Sequence, residues 1–232
     1  GTQSGDPRSP SKGDRPPIHF IGGSNGPSGV ERQTLDDDQP TGRVMETLQS
    51  WDEALMVTLN SWGIPSLDPF FLAISSTTVW IPLYLAVVIL LFRKFDLVRA
   101  ILLVALCVIG VILTDQGSVH LFKEIFQRPR PCYNEELLPM IRQVKEFCGG
   151  QYGFISSHAS NTFGFATLVG AIFSRSIPWL RGVLILWACL VSYSRVYLGV
   201  HYPFDILVGA IFGALVGGSL ARYARYRGWI QD

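Results

Sequence analysis

Apolar residues in this chain neither alternate nor keep to one helical face. For most of its length they run in unbroken blocks. Five blocks stand out, about Pro69–Phe92, Leu97–Val119, Ala159–Phe173, Trp179–Gly199 and Phe204–Ala221. Each is near the length of roughly 20 residues that a helix needs to cross about 30 Å of hydrocarbon, the third being short. Ahead of them, METLQSWDEALMVTLNSW from Met45 is amphipathic. Leu48, Trp51, Leu55, Met56 and Leu59 recur at helical spacing, with Glu46, Asp52 and Glu53 off that face. That segment predicts a helix lying in the membrane interface, or else a weak sixth span. The pattern as a whole predicts an all-α integral membrane helical bundle of five to six spans.

Residues 1–44 break the pattern. They are rich in Gly, Pro, Ser and charge, and have too little apolar surface to offset the entropy of ordering. They read as a disordered leader or a processed extension, His19 included, ahead of a single membrane-embedded domain over 45–232. Composition agrees with the membrane reading: 48% of residues are hydrophobic and 16% charged, against roughly a quarter charged in soluble domains. A net charge of +1 argues against a nucleic-acid partner.

The charges that remain are placed unevenly. Arg93, Lys94 and Arg99, then Arg175 and Arg181, then Arg222, Arg225 and Arg227 all fall on one side of the predicted spans, which marks that side as cytoplasmic. The loop from about Lys123 to Ser157 and the turn around His201 share the outer face. Three basic clusters reach that face: KEIFQRPRP with Lys123 and Arg130, ISSHASN with His158, and YSRVYLGVHYPFD with Arg195, His201 and Asp205. Cations gathered there repel one another unless an anion joins them, and arginine forks and a lysine ammonium match phosphate oxygens. Ser156 or Ser157 suits the N-cap of the third span, whose free amides form an anion site. Pro203 suits the first turn of the fifth span. Asp205 can then hold one ring nitrogen of His201, leaving the other as a nucleophile, while His158 protonates the leaving oxygen.

The spacing Lys123-x6-Arg130-Pro131, then Ser156-x-His158, then Ser194-Arg195-x5-His201-x3-Asp205 resembles the type 2 phosphatidic acid phosphatase superfamily of integral-membrane lipid phosphate phosphatases. The resemblance covers about Asp68 to Ala221. It implies that Lys123, Arg130 and Arg195 bind the phosphate, with Ser156 and Ser157 adding hydrogen bonds. It implies a phosphohistidine on His201, with Asp205 orienting and His158 as acid and then base. No metal or other cofactor is implied. One departure stands out: the family's Pro-Ser-Gly-His reads Ile155-Ser156-Ser157-His158 here, which adds a side chain where backbone approaches phosphate and predicts a shifted pocket.

The expected activity is metal-independent hydrolysis of phosphate from a membrane lipid phosphate or diphosphate. Polyprenyl diphosphate, phosphatidylglycerophosphate, phosphatidate and phosphorylated lipid A are the classes considered. The alternative is a non-hydrolytic anionic-lipid binder or transporter using the same basic pocket. The expected partners are the bilayer and its lipid substrate, with a homo-oligomer possible but not required. The expected location is a bacterial inner membrane, with the site facing the periplasm or outside. Cys132 and Cys148 flank the outer loop and can pair in an oxidising compartment. The small-residue stripe Gly209, Gly213, Gly217 predicts close helix packing. Asp115, an acid within a span, is read as bonding to a neighbouring span.

Overall fold

The computed structural model describes residues 40–144 and 148–230, so the expected leader through residue 39 lies outside the described residues, as do Lys145 and Glu146 of the outer loop. Among the described residues there is no strand, only one antiparallel bridge between Pro129 and Tyr152. The protein is an all-α membrane bundle. Its helices are α1 (Pro40–Ser61), α2 (Asp68–Ser75), α3 (Ile81–Lys94), α4 (Leu97–Ser118), the short α5 (Glu124–Phe126), α6 (Ser157–Ile172), α7 (Leu180–Tyr197) and α8 (Pro203–Tyr226). Among the described residues four stretches are long and apolar enough to cross a membrane: Thr77–Lys94, Leu97–Phe126, Leu180–Tyr197 and Pro203–Tyr226.

The first expected span is broken. Its helix stops at Ser75 and resumes through a 3-10 turn, Thr77–Trp80. Pro82 carries no N–H for the preceding turn. The Trp80 indole donates to the Ile74 carbonyl at 2.8 Å, satisfying one of the acceptors freed at the break. The second span is longer than expected. A five-residue π turn, Val119–Lys123, carries α4 into α5, and Gln127, with φ of 47°, then turns the chain out of the helix.

The third expected span is 16 residues and forms the core of the bundle rather than a lipid-facing wall. Its small residues allow this: Ala159, Ser160, Gly164, Ala166 and Gly170 are all buried. On α8, Gly209 and its two successors face α6. A Cβ at Gly209 would lie 2.7 Å from the Ser156 carbonyl oxygen, and Gly213 and Gly217 likewise press on the backbones of Ser160 and Gly164. The stripe therefore packs within one chain. The ends of α3, α6 and α7 away from the outer loop meet where Lys94 donates to Ser176 at 2.6 Å.

Helix α1 starts at Pro40, ahead of the expected Met45, and it is turned differently from its reading as a simple amphipathic helix. Leu48, Trp51 and Leu55 are exposed, whereas Asp52 (0%), Met56 (0%) and Asn60 (1%) are buried. These three recur at i, i+4 and i+8, so they form one stripe on the protein side. Asn60 Nδ2 donates to the carbonyls of Val196 (3.0 Å), Tyr197 (3.1 Å) and Arg142 (3.1 Å), and its Oδ1 accepts from the Arg142 N–H at 2.6 Å. One side chain thus ties α1 to the end of α7 and to the outer loop. That loop is anchored again by Arg142, which grips Asp68 with two bonds of 2.8 and 2.7 Å. Leu137 and Ile141 pack with Met56, Val196 and Tyr202, while Leu138 and Met140 face outward. The loop is pinned to the bundle by half of its apolar residues and offers the other half to its surroundings.

Candidate active site

Helix ends deliver the site. Lys123 closes the π turn, Arg130 follows α5, Ser156 caps α6 and Arg195 sits in the last turn of α7. His201 stands in the turn before α8, and Asp205 lies in the first turn of that helix. The turn that carries His201 depends on Gly199, whose φ of 78° is left-handed and whose Cβ position would lie 3.1 Å from the Arg142 carbonyl oxygen. The Val200 N–H then donates to the Arg195 carbonyl at 3.0 Å, closing α7 and fixing the path to His201.

His201 is 1% exposed and its two nitrogens face different groups. Nε2 lies 2.9 Å from Arg130 Nη1, and Nδ1 lies 3.3 Å from Asp205 Oδ2. A guanidinium only donates, so Nε2 must accept and the ring proton sits on Nδ1, pointing at the carboxylate. Burial first, then the charges of Arg130, Arg195 and Lys123, hold the His201 pKa well below the ordinary imidazole value. The ring is neutral, with a lone pair on the nitrogen that faces the cations.

Asp205 does two jobs with one carboxylate. Oδ2 accepts from the Tyr202 N–H at 3.0 Å, capping α8, as well as meeting His201. Oδ1 accepts from Arg128 Nη1 at 3.0 Å. The same Arg128 nitrogen lies 2.7 Å from Asp52 Oδ2, and its guanidinium covers the Tyr202 ring at 3.9 Å. Asp52 also accepts from the Phe204 N–H at 2.9 Å.

The remaining expected residues gather around this pair. Arg130 is fixed by donating to the Gly150 carbonyl (2.6 Å) and the Val200 carbonyl (3.3 Å). Arg195 is buried; Nη1 donates to Ser75 Oγ, and Nε has no partner among the described residues. His158 faces the Ser75 carbonyl and feels the charges of Arg195 and Arg130. Ser156 Oγ accepts from the Ala159 N–H and its carbonyl from the Ser160 N–H, which leaves the first two amides of α6, those of Ser157 and His158, without intrahelical acceptors. The Ser156 N–H donates to the Asp205 carbonyl at 3.0 Å, so α6 and α8 are joined by their backbones at the site.

The departure at Ser157 has a physical account. Its Oγ accepts from Lys123 Nζ at 2.5 Å and lies 2.6 Å from Ser118 Oγ, which itself donates to the Asp115 carbonyl. Ser157 therefore donates to Ser118 and accepts from Lys123, so its hydroxyl steadies the lysine. Sequence reasoning missed Ser75, Arg128 and Asp52. It singled out Asp115 correctly as a tie between spans, since Asp115 Oδ1 accepts from Asn161 Nδ2 at 3.3 Å.

A cavity of about 460 Å³ opens from Ser157 and His158. It descends between α3 and α4, past Tyr84, Val87, Val108 and Ile112. Its lining is polar at Ser157, His158, Asp115 and Asn161 and apolar along most of α3 and α4. Residues that could hold a metal, three or more His, Cys, Asp or Glu together, do not occur among the described residues. Cys132 and Cys148 are disulfide-bonded across the outer loop.

Fold and site define a helical membrane protein with a cationic, histidine-bearing cluster at its helix ends. Residues 99–229 match the family model described as the PAP2 superfamily, and the chain belongs to that superfamily. It is 34% identical to a lipid A 4'-phosphatase of Porphyromonas gingivalis over 80% of this chain and 79% of that one. A lipid A 4'-phosphatase of Bacteroides thetaiotaomicron is 31% identical over 75% of this chain and 77% of that one. Among solved structures, Aquifex aeolicus LpxE superposes with a TM-score of 0.58 at 28% identity, covering 73% of this chain and 94% of that chain. The fold is also that of a PAP2-type phosphatidylglycerolphosphate phosphatase from Bacillus subtilis, with a TM-score of 0.60, 20% identity and coverage of 78% and 87%. The protein is an integral-membrane lipid phosphatase.

Proposed function

We propose that residues 45–232 act as one domain that removes a phosphate from a phosphorylated glycolipid of the lipid A class, through a phosphohistidine on His201. The observation that carries the mechanism is the Arg130–His201–Asp205 line, which leaves Nε2 unprotonated beside a cation. Arriving phosphate oxygens take Arg130, Arg195, Lys123 and the two free amides of α6 as donors. Nε2 then attacks phosphorus, the N–P bond forms, and the bond from phosphorus to the lipid oxygen breaks. His158 gives its proton to that oxygen. A water next loses a proton to His158 and attacks phosphorus; the N–P bond breaks, and phosphate and neutral His201 are restored. Asp205 keeps the ring oriented and offsets the positive charge the ring carries while it is bonded to phosphorus.

The lipid A class is favoured by the two relatives of that name that span most of the chain. A bacterial inner membrane with the site on the periplasmic side is supported by the arginine clusters at the opposite helix ends and by a disulfide on the site's own face. The test is phosphate release from a panel of lipid phosphates by purified wild type and His201→Ala, with rapid-quench trapping of acid-labile phosphoprotein. Release and trapped phosphate in wild type, both absent from His201→Ala, are expected. Equal release by both proteins rejects the mechanism.

A further inference from the structure

The cavity beside the site, taken as the path of the lipid in the proposed function, is apolar along most of its lining and polar at a few positions. Asp115 of α4 and Asn161 of α6 both line it. Asn161 is four residues, about 6 Å, deeper along α6 than Ser157, and Asp115 is three residues, about 4.5 Å, from Ser118, whose hydroxyl meets that of Ser157 at 2.6 Å. Thr114 Oγ1 lies 2.7 Å from Asn161 Oδ1 and donates to it, which turns Nδ2 toward Asp115. The opposite amide orientation would set a carbonyl against the carboxylate. The second Asp115 oxygen accepts from Gln116 at 3.1 Å. Two neutral amides fill two of roughly four acceptor positions on a carboxylate. Its charge acts on Lys123, but no ion pair forms. A carboxylate within a span costs several kcal/mol on insertion scales, and such residues face functional cavities as a rule.

We infer that Asp115, steadied by Asn161, is a specificity residue that accepts a hydrogen bond from a hydroxyl or amide N–H borne by the lipid about one helical turn from its phosphate. The inference deepens the proposed function, on which it rests, because it separates the candidate lipids by chemistry. Acylated amino-sugar phosphates carry hydroxyl and amide donors at that distance. Polyprenyl phosphates are hydrocarbon there, and the glycerol diesters of phosphatidate offer only acceptors, which a carboxylate repels. An uncompensated carboxylate facing a hydrocarbon chain penalises the wrong lipid, so the residue works by rejection as well as attraction.

The probes are an amide-acylated glucosamine phosphate and a polyprenyl phosphate, presented to the purified full chain in detergent. Asp115→Leu is larger and removes both the charge and the bond to Asn161, so size-exclusion elution and thermal unfolding, compared with Asp115→Asn, check that it folds. Asp115→Asn keeps an acceptor. The expected result is a fall of roughly tenfold or more in kcat/KM for the glycolipid with Asp115→Leu, a smaller fall with Asp115→Asn, and no fall for the polyprenyl phosphate. Binding of the same two lipids to His201→Ala, with and without Asp115→Leu, is read by calorimetry in parallel. There, Asp115→Leu should weaken only the glycolipid, again by roughly tenfold. Equal losses with both lipids, or a loss with neither, overturn the inference. If wild type releases phosphate from neither lipid, the proposed function is what fails, and the binding pair still decides the role of Asp115.

Discussion

The carboxylate of Asp52, on α1, lies 2.7 Å from Arg128, and Arg128 reaches Asp205 with the same nitrogen. Asp52 and Asp205 are both wholly buried, so a single guanidinium offsets two desolvated acids. Removing Asp52 leaves Arg128 with Asp205 alone and the Phe204 N–H without its acceptor, and a buried donor left unpaired costs about 1–3 kcal/mol. Asp52→Ala is expected to lower the unfolding midpoint and to reduce kcat while leaving KM nearly unchanged. Asp52→Asn, which still accepts from the Phe204 N–H, is expected to recover part of kcat. Thermal unfolding and steady-state kinetics of the two variants check this.

Ser157 steadies Lys123, so Ser157→Ala should free the ammonium to wander. A hydrogen bond to a charged group contributes about 1.5 kcal/mol at the low end, so kcat/KM is expected to fall roughly tenfold. The measured pair is Ser157→Ala against Lys123→Ala. The lysine variant should lose far more, because it also loses a phosphate ligand.

The neutral state of His201 fixes the sign of a pH effect. Its folded pKa is depressed below the unfolded value of 6.5. As pH falls through 6.5, unfolded chain takes up a proton that the folded ring refuses, so stability declines; above 6.5 the contribution is constant. His201→Gln should therefore show a shallower loss of stability than wild type between about pH 4.5 and 6.5. In the free enzyme, kcat/KM should persist to pH values below 6.5, since the nucleophile stays unprotonated there.

The Cys132–Cys148 bond closes a loop with a sequence separation of 16. On the chain-entropy account a loop of that size contributes about 3 kcal/mol. Reduction is expected to shift the gel mobility of wild type and not of the Cys132→Ser/Cys148→Ser variant. The variant should unfold at lower temperature, with Arg130 less well held.

Much of this was legible in the chain. Lys123, Arg130, His158, Arg195, His201 and Asp205 announce themselves because ionisable groups at the ends of apolar blocks are costly and need a common reason, and Ser156 does so as an N-cap. Asp52 and Arg128 were not legible for the opposite reason. An acid on the polar side of an amphipathic helix reads as solvated, and an arginine beside Arg130 reads as its flank. The recurrence of Asp52, Met56 and Asn60 on one helical stripe was the available signal. The break at Ser76 rests on an indole reaching back to a carbonyl, a tertiary contact that apolar block length does not encode. The core position of α6 was hinted at by its small residues, whose packing value depends on which helix approaches them.

At the site, α6 and α8 meet through main-chain atoms: the Ser156 amide on the Asp205 carbonyl, and the glycine face of one helix against the peptide groups of the other. The interval between the His201 and His158 rings is thus set by two spines rather than by side chains. Residues on the outer, oil-facing rim can be exchanged to suit membranes of different thickness or fluidity without altering that interval. A single methyl group placed on the glycine face would alter it from within.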